Sequence, residues 1–225
     1  MANRDMPKRT EAASTAGASS PWDSMEQRAR QRELKRDAVI LAAARAFRQR
    51  GYHNTSLDDL AALLHVTKPT IYYYVDNKEE ILFECFRTGL DQIRAAFTEI
   101  AGSRTPARER LVAVMRRYAA AITSDFGWCM VRAEDQDLSP AMSQRIKALK
   151  SEIDHGIRGL LRDGIADGSV RSCDPKMTAF ALAGSLNWIA HWYRNDDSLS
   201  PSEIADRFVE TFNEGLRPRP RVRAR

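Results

Sequence analysis

The sequence predicts an all-α protein of about nine helices. Apolar residues recur at helical spacing along most of the 225-residue chain, and no stretch shows the strict apolar–polar alternation of a half-buried strand. Three predicted helices also begin with a capping residue followed by proline. The first helical turn tolerates proline, because the N–H that proline lacks would have no hydrogen-bond partner there. These starts are Ser139-Pro140, Asp174-Pro175 and Ser200-Pro201.

The first predicted helix runs from about Glu33 to Arg50, and Gly51 is well placed to end it. Residues 1–32 are rich in small and polar residues with little periodic apolar pattern, so we predict a disordered, basic N-terminal extension. A basic cluster at the junction favours a role in binding DNA, with a solvated surface as the alternative. Its members are Arg28, Arg30, Arg32, Lys35 and Arg36.

Two short helices joined by a tight turn are predicted next. Ser56 or Thr55 can cap the first of them, whose apolar residues share one face. A break at residues 64–66 precedes a second helix that starts at Thr67 and holds Pro69 in its first turn. This spacing is typical of a helix-turn-helix, and the second helix offers polar donors to solvent as a DNA-reading helix does.

The segment from Lys35 to Leu82 resembles the DNA-binding domain of the TetR family of bacterial repressors. The matching residues are Gly51-Tyr52, Thr55-Ser56, Asp59-Leu60-Ala61, Val66-Thr67-Lys68, Thr70-Ile71-Tyr72-Tyr73 and Lys78-Glu79-Glu80. Two positions depart from the family pattern: His65 replaces the usual turn glycine and Val75 replaces an aromatic residue. Histidine tolerates a left-handed backbone and valine can fill the same core site, so we expect the departures to affect stability and not recognition.

The chemistry of the residues suggests how this segment meets DNA. Hydroxyl and ammonium donors suit phosphates, which fix position without reading sequence, whereas the start of the second helix faces the groove floor. The predicted phosphate contacts are Thr55, Tyr72, Tyr73 and Lys78, the predicted groove contacts are Thr67, Lys68, Pro69 and Thr70, and Ser56 completes the DNA-binding set. For Tyr74, a core position stays an equal alternative.

A long fourth helix, capped by Asn77 or Asp76, carries an apolar stripe from Leu82 to Ile100 and spans over 30 Å at about 1.5 Å per residue. It can connect a DNA-binding head (33–80) to a body (81–216), before an Arg/Pro-rich tail (217–225). The other predicted helices are the fifth from Pro106, the sixth over Trp128–Glu134, the seventh from Ser139-Pro140 to about Asp167, the eighth from Asp174-Pro175 to about Arg194, and the ninth from Ser200-Pro201 to about Gly215.

The family resemblance implies that the last two helices form a four-helix bundle with a second copy of the chain. Candidate dimer contacts are Phe180, Gly184, Ile204, Phe208 and Phe212. A two-fold dimer would place its reading helices about 34 Å apart, one turn of B-DNA, and would bind a near-palindromic operator in double-stranded DNA.

Residues 138–205 resemble TetR-family regulators of fatty-acid or steroid breakdown that sense acyl-CoA esters in a cavity of the body. Candidate ligand-binding residues are Met115, Tyr118, Ile122, Trp128, Met130, Ile157, Trp188 and Trp192, with plain core packing as the alternative for each. Arg132, Arg145, Arg158 and Arg162 can meet a CoA phosphate or simply face solvent. The resemblance therefore implies a repressor released from DNA by a small apolar or acyl-CoA effector.

Other classes fit less well. The glycines between residues 156 and 168 lack the context of a phosphate loop, and the four histidines lack metal-ligand spacing, so we expect neither an enzyme nor a metal or other cofactor. Asp135 and Asp137 most simply cap or solvate a loop. No apolar run is long enough for a membrane, and the polar first residues do not predict an export signal, so we expect a cytoplasmic protein. A regulator of efflux or xenobiotic response, or one that answers a protein partner, stays an alternative; a body without an enclosed cavity would favour the protein partner.

Overall fold

The computed structural model describes residues 25–133, 135–193 and 199–218. Within these ranges the chain forms nine α-helices, a short 3-10 turn at Asp135–Asp137 and no strand, which confirms the all-α prediction. The helices are α1 (Met25–Arg50), α2 (Leu57–Leu63), α3 (Lys68–Tyr72), α4 (Lys78–Glu99), α5 (Ala107–Thr123), α6 (Gly127–Arg132), α7 (Pro140–Ala166), α8 (Pro175–Trp192) and α9 (Pro201–Leu216).

The first helix begins eight residues before the predicted start, so the predicted disorder is wrong for residues 25–32. These residues are good helix formers, and their lack of an apolar stripe has a simple cause: every one of them is exposed. Residues 1–24 of the predicted extension, and the tail from residue 219, lie outside the described residues.

The helix-turn-helix head has a small core. Phe47 of α1, Leu60 of α2 and Ile71 of α3 are all fully buried in it. Val75 is also buried, which confirms that it fills the core site predicted for it. His65 has a φ of +54°, which confirms the left-handed turn without glycine.

The fourth helix connects the head to the body. The Asn77 side chain accepts a hydrogen bond of 2.8 Å from the backbone N–H of Glu80, and so caps α4 as predicted. Its 22 residues span about 33 Å. The helix packs on α1 in the head and on α5, α6 and α7 in the body.

The centre of the body is α5, which packs against α4, α6, α7, α8 and α9. Its buried face carries Leu111, Val114 and Ile122. The predicted capping residues before α8 and α9 are confirmed: Asp174 and Ser200 each accept backbone hydrogen bonds from the first turn that follows. The Ser139 side chain before α7 accepts no such hydrogen bond, so the cap predicted for it is wrong. Cys85 and Cys129 are free thiols buried in the same core.

Candidate nucleic-acid interface and effector site

The turn between α2 and α3 positions the third helix. The Ser56 hydroxyl accepts a hydrogen bond of 3.1 Å from Asp59 N–H, and the Asp59 carboxylate accepts one of 2.8 Å from Ser56 N–H. This reciprocal cap fixes the start of α2. The N–H of Val66 donates to the carbonyl of Ala61 at 2.9 Å, beyond the left-handed residue. Thr67 is then extended at the start of α3.

The third helix is buried on one side only. Ile71 holds it to the head core, and Thr70 is half-buried beside it. Thr67, Lys68 and Pro69 are exposed on the opposite side. The predicted groove-facing residues therefore lie together at the start of one short, largely solvent-exposed helix.

Lys68 already has a partner in the free protein. Its Nζ donates to the Asp58 carboxylate of α2 at 2.8 Å, and this hydrogen bond raises the pKa of Lys68. The hydroxyls of Thr67 and Thr70 lie 2.9 Å apart, so one donates to the other. The Lys68 ammonium group has three protons and gives one to Asp58, so its remaining donors can contact a base or phosphate.

Tyr72 and Tyr73, at the end of α3, are 49% and 63% exposed. The Arg32 guanidinium of α1 lies 5.1 Å from the centroid of the Tyr73 ring, so the basic start of α1 reaches the exposed end of α3. Tyr74 is half-buried against the head core, as its core alternative predicted. Arg36 was predicted to belong to the basic surface, but its guanidinium donates to Glu80 of α4 at 2.8 Å and so links α1 to α4.

The phosphate contact predicted for the Thr55 side chain is wrong. Thr55 is 1% exposed, and its hydroxyl donates to the carbonyl of Gly51 at 2.9 Å, where it satisfies the end of α1. Ser56 is exposed, although its hydroxyl is engaged with Asp59. Lys78 is half-buried with its Nζ 4.2 Å above the Tyr52 ring, and burial lowers its pKa. Phosphate binding by Lys78 stays a prediction.

Five of the predicted ligand-binding residues lie in the body core: Met115, Tyr118, Ile122, Met130 and Ile157. A small cavity beside Met115, also lined by Leu182 and Phe212, measures about 10 Å³. That is room for one water molecule at most. An acyl chain would therefore need core side chains to move before it could enter here.

One polar pair interrupts this apolar core. The Tyr118 hydroxyl on α5 donates to Asn187 Oδ1 on α8 at 3.0 Å. Burial raises the pKa of Tyr118 to about 12, so the phenol stays neutral near pH 7. A small number of polar groups within apolar walls is typical of ligand pockets. The sequence reasoning missed Asn187, although a lone amide on a mostly apolar helix was a visible signal.

The predicted tryptophan lining of an internal cavity is wrong for two residues. Trp188 is 60% exposed and Trp192 is 39% exposed on the outer side of α8, and Trp188 stacks on His191 with ring centroids 4.6 Å apart. A third, Trp128, is half-buried and lines an open cleft between α1, α6 and α8. The rest of the chain therefore leaves Trp188 and Trp192 exposed and buries Trp128 only in part.

Among the described residues of the body, the exposed large apolar side chains lie on α8. Met177, Phe180, Gly184 and Trp188 follow at spacings of three or four residues and are all exposed. Ile204 of α9, by contrast, is fully buried in its own chain, so the dimer role predicted for it is wrong. Phe208 and Phe212 are half-buried against the same core, and their dimer contacts stay predictions.

Head and body meet in a contact that sequence reasoning missed. Nε2 of His53, after α1, lies 2.8 Å from Oδ1 of Asp137, whose side chain is almost buried. The Glu79 carboxylate of α4 accepts a hydrogen bond of 2.6 Å from the backbone N–H of Ser139. Asp137 therefore joins two parts of the fold and does not simply solvate a loop. No sequence spacing could have paired residues so far apart.

The described ranges contain no cluster of histidine, cysteine or acidic side chains arranged to hold a metal ion. None of their helices combines the length and the apolar character that crossing a membrane requires.

Comparisons with known proteins agree along the chain. Residues 39–85 match the family of bacterial regulatory proteins called tetR, and residues 104–216 match the C-terminal domain of tetracyclin repressor-like proteins. The transcriptional repressor KstR2 of Rhodococcus jostii is 27% identical over 187 residues, which cover 81% of this chain and 91% of the relative. The fatty acid metabolism regulator protein of Bacillus subtilis is 23% identical over 194 residues, or 83% and 98% of the two chains.

Solved structures give the same result. AibR in complex with isovaleryl coenzyme A and operator DNA superposes with a TM-score of 0.68 at 28% identity, covering 78% of this chain and 96% of that one. The matched families and relatives are regulators of transcription and not enzymes.

Proposed function

This chain belongs to the TetR family of bacterial regulatory proteins, and on that basis we propose that it is a homodimeric repressor, released from a near-palindromic DNA operator by a small apolar or acyl-CoA ligand. The observation that carries the proposal is the exposed start of α3, where Thr67, Lys68 and Pro69 are presented by the turn at His65. A short helix held on one side and polar on the other suits the major groove. Such a protein would act in the cytoplasm, where the chromosome lies.

The homodimer is supported by the outer face of α8. Exposed side chains of this size in a row are typical of an interface rather than of a free surface. A second copy that covers Phe180 and Trp188 would remove them from water and place the two α3 helices for one operator. One five-residue helix alone offers too few base contacts for selective binding.

The effector class is supported by the relatives. AibR was solved with isovaleryl coenzyme A, and another relative is a fatty acid metabolism regulator. For this chain we propose that the ligand acts through α4, which packs on α1 in the head and on α5 and α7 in the body. A ligand that binds the DNA-free arrangement more tightly would lower DNA affinity by that difference.

The tight packing around Met115 favours a second candidate, a regulator that answers a protein partner. A cavity of about 10 Å³ holds no small molecule, whereas a partner could dock without opening the core. A regulator of efflux or xenobiotic response would instead need the core to open for an uncharged ligand. The three candidates differ in what releases the DNA, which one experiment can resolve.

The test is fluorescence anisotropy of the full chain on a labelled duplex from upstream of its own gene, with excess nonspecific DNA. A panel of acyl-CoAs and a panel of uncharged apolar drugs are then added separately. We expect tight, salt-dependent, selective binding that an acyl-CoA reverses. Analytical ultracentrifugation of the complex should give two chains per duplex.

Each outcome points to one candidate. Release by drugs but not by acyl-CoAs would favour the xenobiotic regulator, and release by neither would favour a protein effector. A monomer that binds every duplex equally would contradict the repressor itself.

A further inference from the structure

An open cleft of about 790 Å³ lies where the helix-turn-helix head meets the body. Its described walls come from the last turns of α1, from α6 and from the end of α8. The lining includes Arg45 and Arg48 of α1, Trp128 and Arg132 of α6, and Tyr193 at the end of α8. The volume falls in the range of about 300 to 1,000 Å³ that is usual for small-molecule sites.

The described wall of the cleft has a positive net charge. It carries three arginines and a single carboxylate, that of Asp125. Arg45 Nε donates to Asp125 at 2.8 Å, yet the Arg45 side chain is 59% exposed, so the rest of its guanidinium can donate elsewhere. Arg132 is exposed on the facing helix. Guanidinium groups from two elements can thus converge on an anion, and their planar donor pairs match phosphate oxygens.

Aromatic rings stand beside these cations. The Arg48 guanidinium lies 5.6 Å from the centroid of the Tyr193 ring, and Trp128 contributes a half-buried indole to the same wall. Aromatic faces next to arginines bind nucleotides, because every base has a π-face to stack and every phosphate has oxygens to accept hydrogen bonds. The wall therefore combines both parts of nucleotide recognition.

We propose that this cleft binds the nucleotide end of a coenzyme A thioester, with Arg45 and Arg132 at the phosphates and Trp128 against the adenine. The proposal rests on the acyl-CoA effector class proposed above. Helix α1 belongs to the head, whereas α6 and α8 belong to the body. A ligand held by all three helices contacts both units at once, and any difference in its affinity between two head orientations shifts DNA binding.

The test is isothermal titration of the full chain with free coenzyme A, with adenosine 3′,5′-bisphosphate as the minimal probe and ADP as the comparison. We expect Arg132→Gln and Arg45→Gln each to weaken coenzyme A binding at least tenfold, because a charge-assisted contact is lost. Arg116→Gln is the matched control: Arg116 is 58% exposed and pairs with Asp206 much as Arg45 pairs with Asp125, but lies outside the cleft. This control should bind within twofold of the wild type.

Three results would overturn the cleft as the site. The first is that coenzyme A does not bind at millimolar concentration. The second is that both arginine variants bind coenzyme A as tightly as the wild type. The third is that acyl-CoA still releases both variants from the operator. If ADP binds as tightly as coenzyme A, the cleft would be a general nucleotide site and not a site for coenzyme A thioesters. If the variants lose coenzyme A binding but no acyl-CoA releases the wild type from its operator, the site is supported and the proposed effector function is contradicted. Circular dichroism of each variant checks its fold.

Discussion

The carboxylate of Glu79 accepts a hydrogen bond of 2.6 Å from the backbone N–H of Ser139, which ties the first turn of α4 to the residue just before α7. His53, three residues after the end of α1, also contacts Asp137, which is the last residue of the 3-10 turn and lies two residues before Ser139. Head and body are thus joined by polar contacts in addition to the apolar packing of α4. A change in head orientation has to carry these contacts along or break them.

We predict that Glu79→Ala destabilises the protein at pH 7 by about 1 kcal/mol or less, because a partly exposed charged hydrogen bond contributes little more. Hydrogen bonding from Ser139 lowers the pKa of Glu79 below its usual 4.5. The contribution is therefore complete above about pH 4.5 and is lost as the pH falls through the lower folded-state pKa. Urea unfolding of the wild type and the variant at pH 7 and pH 4 measures the contribution of Glu79 to stability at each pH.

Glu109→Ala is the matched control, since Glu109 is an exposed glutamate in the first turn of α5. It removes a similar charge from a similar helix start without a contact between head and body. An equal loss of stability in both variants, or a difference that grows toward acid pH, would contradict the assigned role of Glu79.

Local sequence signals predict where the helices start but not which residues surround them. Caps and prolines act within one turn, which explains why the starts of α4, α8 and α9 were predicted correctly. The same periodicity could not tell which apolar residues pack within the chain. Ile204 and Trp188 both lie on apolar helix faces, yet one is fully buried and the other is 60% exposed.

The sites depend on contacts that the sequence does not encode locally. Thr55 matches the family pattern and still has no exposed hydroxyl, because the carbonyl of Gly51 is the nearer acceptor. The cleft that holds Trp128 needs arginines from helices far apart in the chain, and only the folded arrangement brings them together. Residue chemistry therefore predicted the exposed start of α3 but not the cleft beside Trp128.

For DNA binding, we predict that Lys68→Ala weakens operator binding by about 1 to 3 kcal/mol and leaves nonspecific binding nearly unchanged, because a base contact carries the sequence preference. Tyr73→Phe should weaken both kinds of binding together, as a phosphate contact does. Anisotropy on operator and scrambled duplexes separates the two effects. Lys176→Ala, at the start of α8, is the control for charge alone. A similar loss on both duplexes for Lys68→Ala would reassign Lys68 to the phosphates.

For the dimer, we predict that Gly184→Arg yields folded monomers, whereas Gly184→Ala stays dimeric. A Cβ at this position meets nothing within 4 Å in its own chain, so the helix accepts either side chain. Only a second copy over the outer face of α8 would exclude the arginine. Sedimentation velocity measures the mass, with Gly159→Arg on α7 as the control for added charge. A dimer of unchanged strength in Gly184→Arg would place the interface elsewhere.

The packing of α4 on α7 can be tested with two glycines of one helix. Alanine at Gly159 meets nothing within 4 Å, so Gly159→Ala should stabilise the protein by about 0.5 to 1 kcal/mol through helix propensity alone. A Cβ at Gly156 would lie 2.5 Å from Cε1 of Phe97, so the same change there has to displace a half-buried ring. Overpacking of this kind costs roughly 1 to 3 kcal/mol and outweighs the gain in propensity. We therefore expect Gly156→Ala to lower the urea midpoint and Gly159→Ala to raise it, at equal protein concentration because a dimer's stability depends on it. Equal midpoints in the two variants would mean that Phe97 does not hold α4 against α7 in solution.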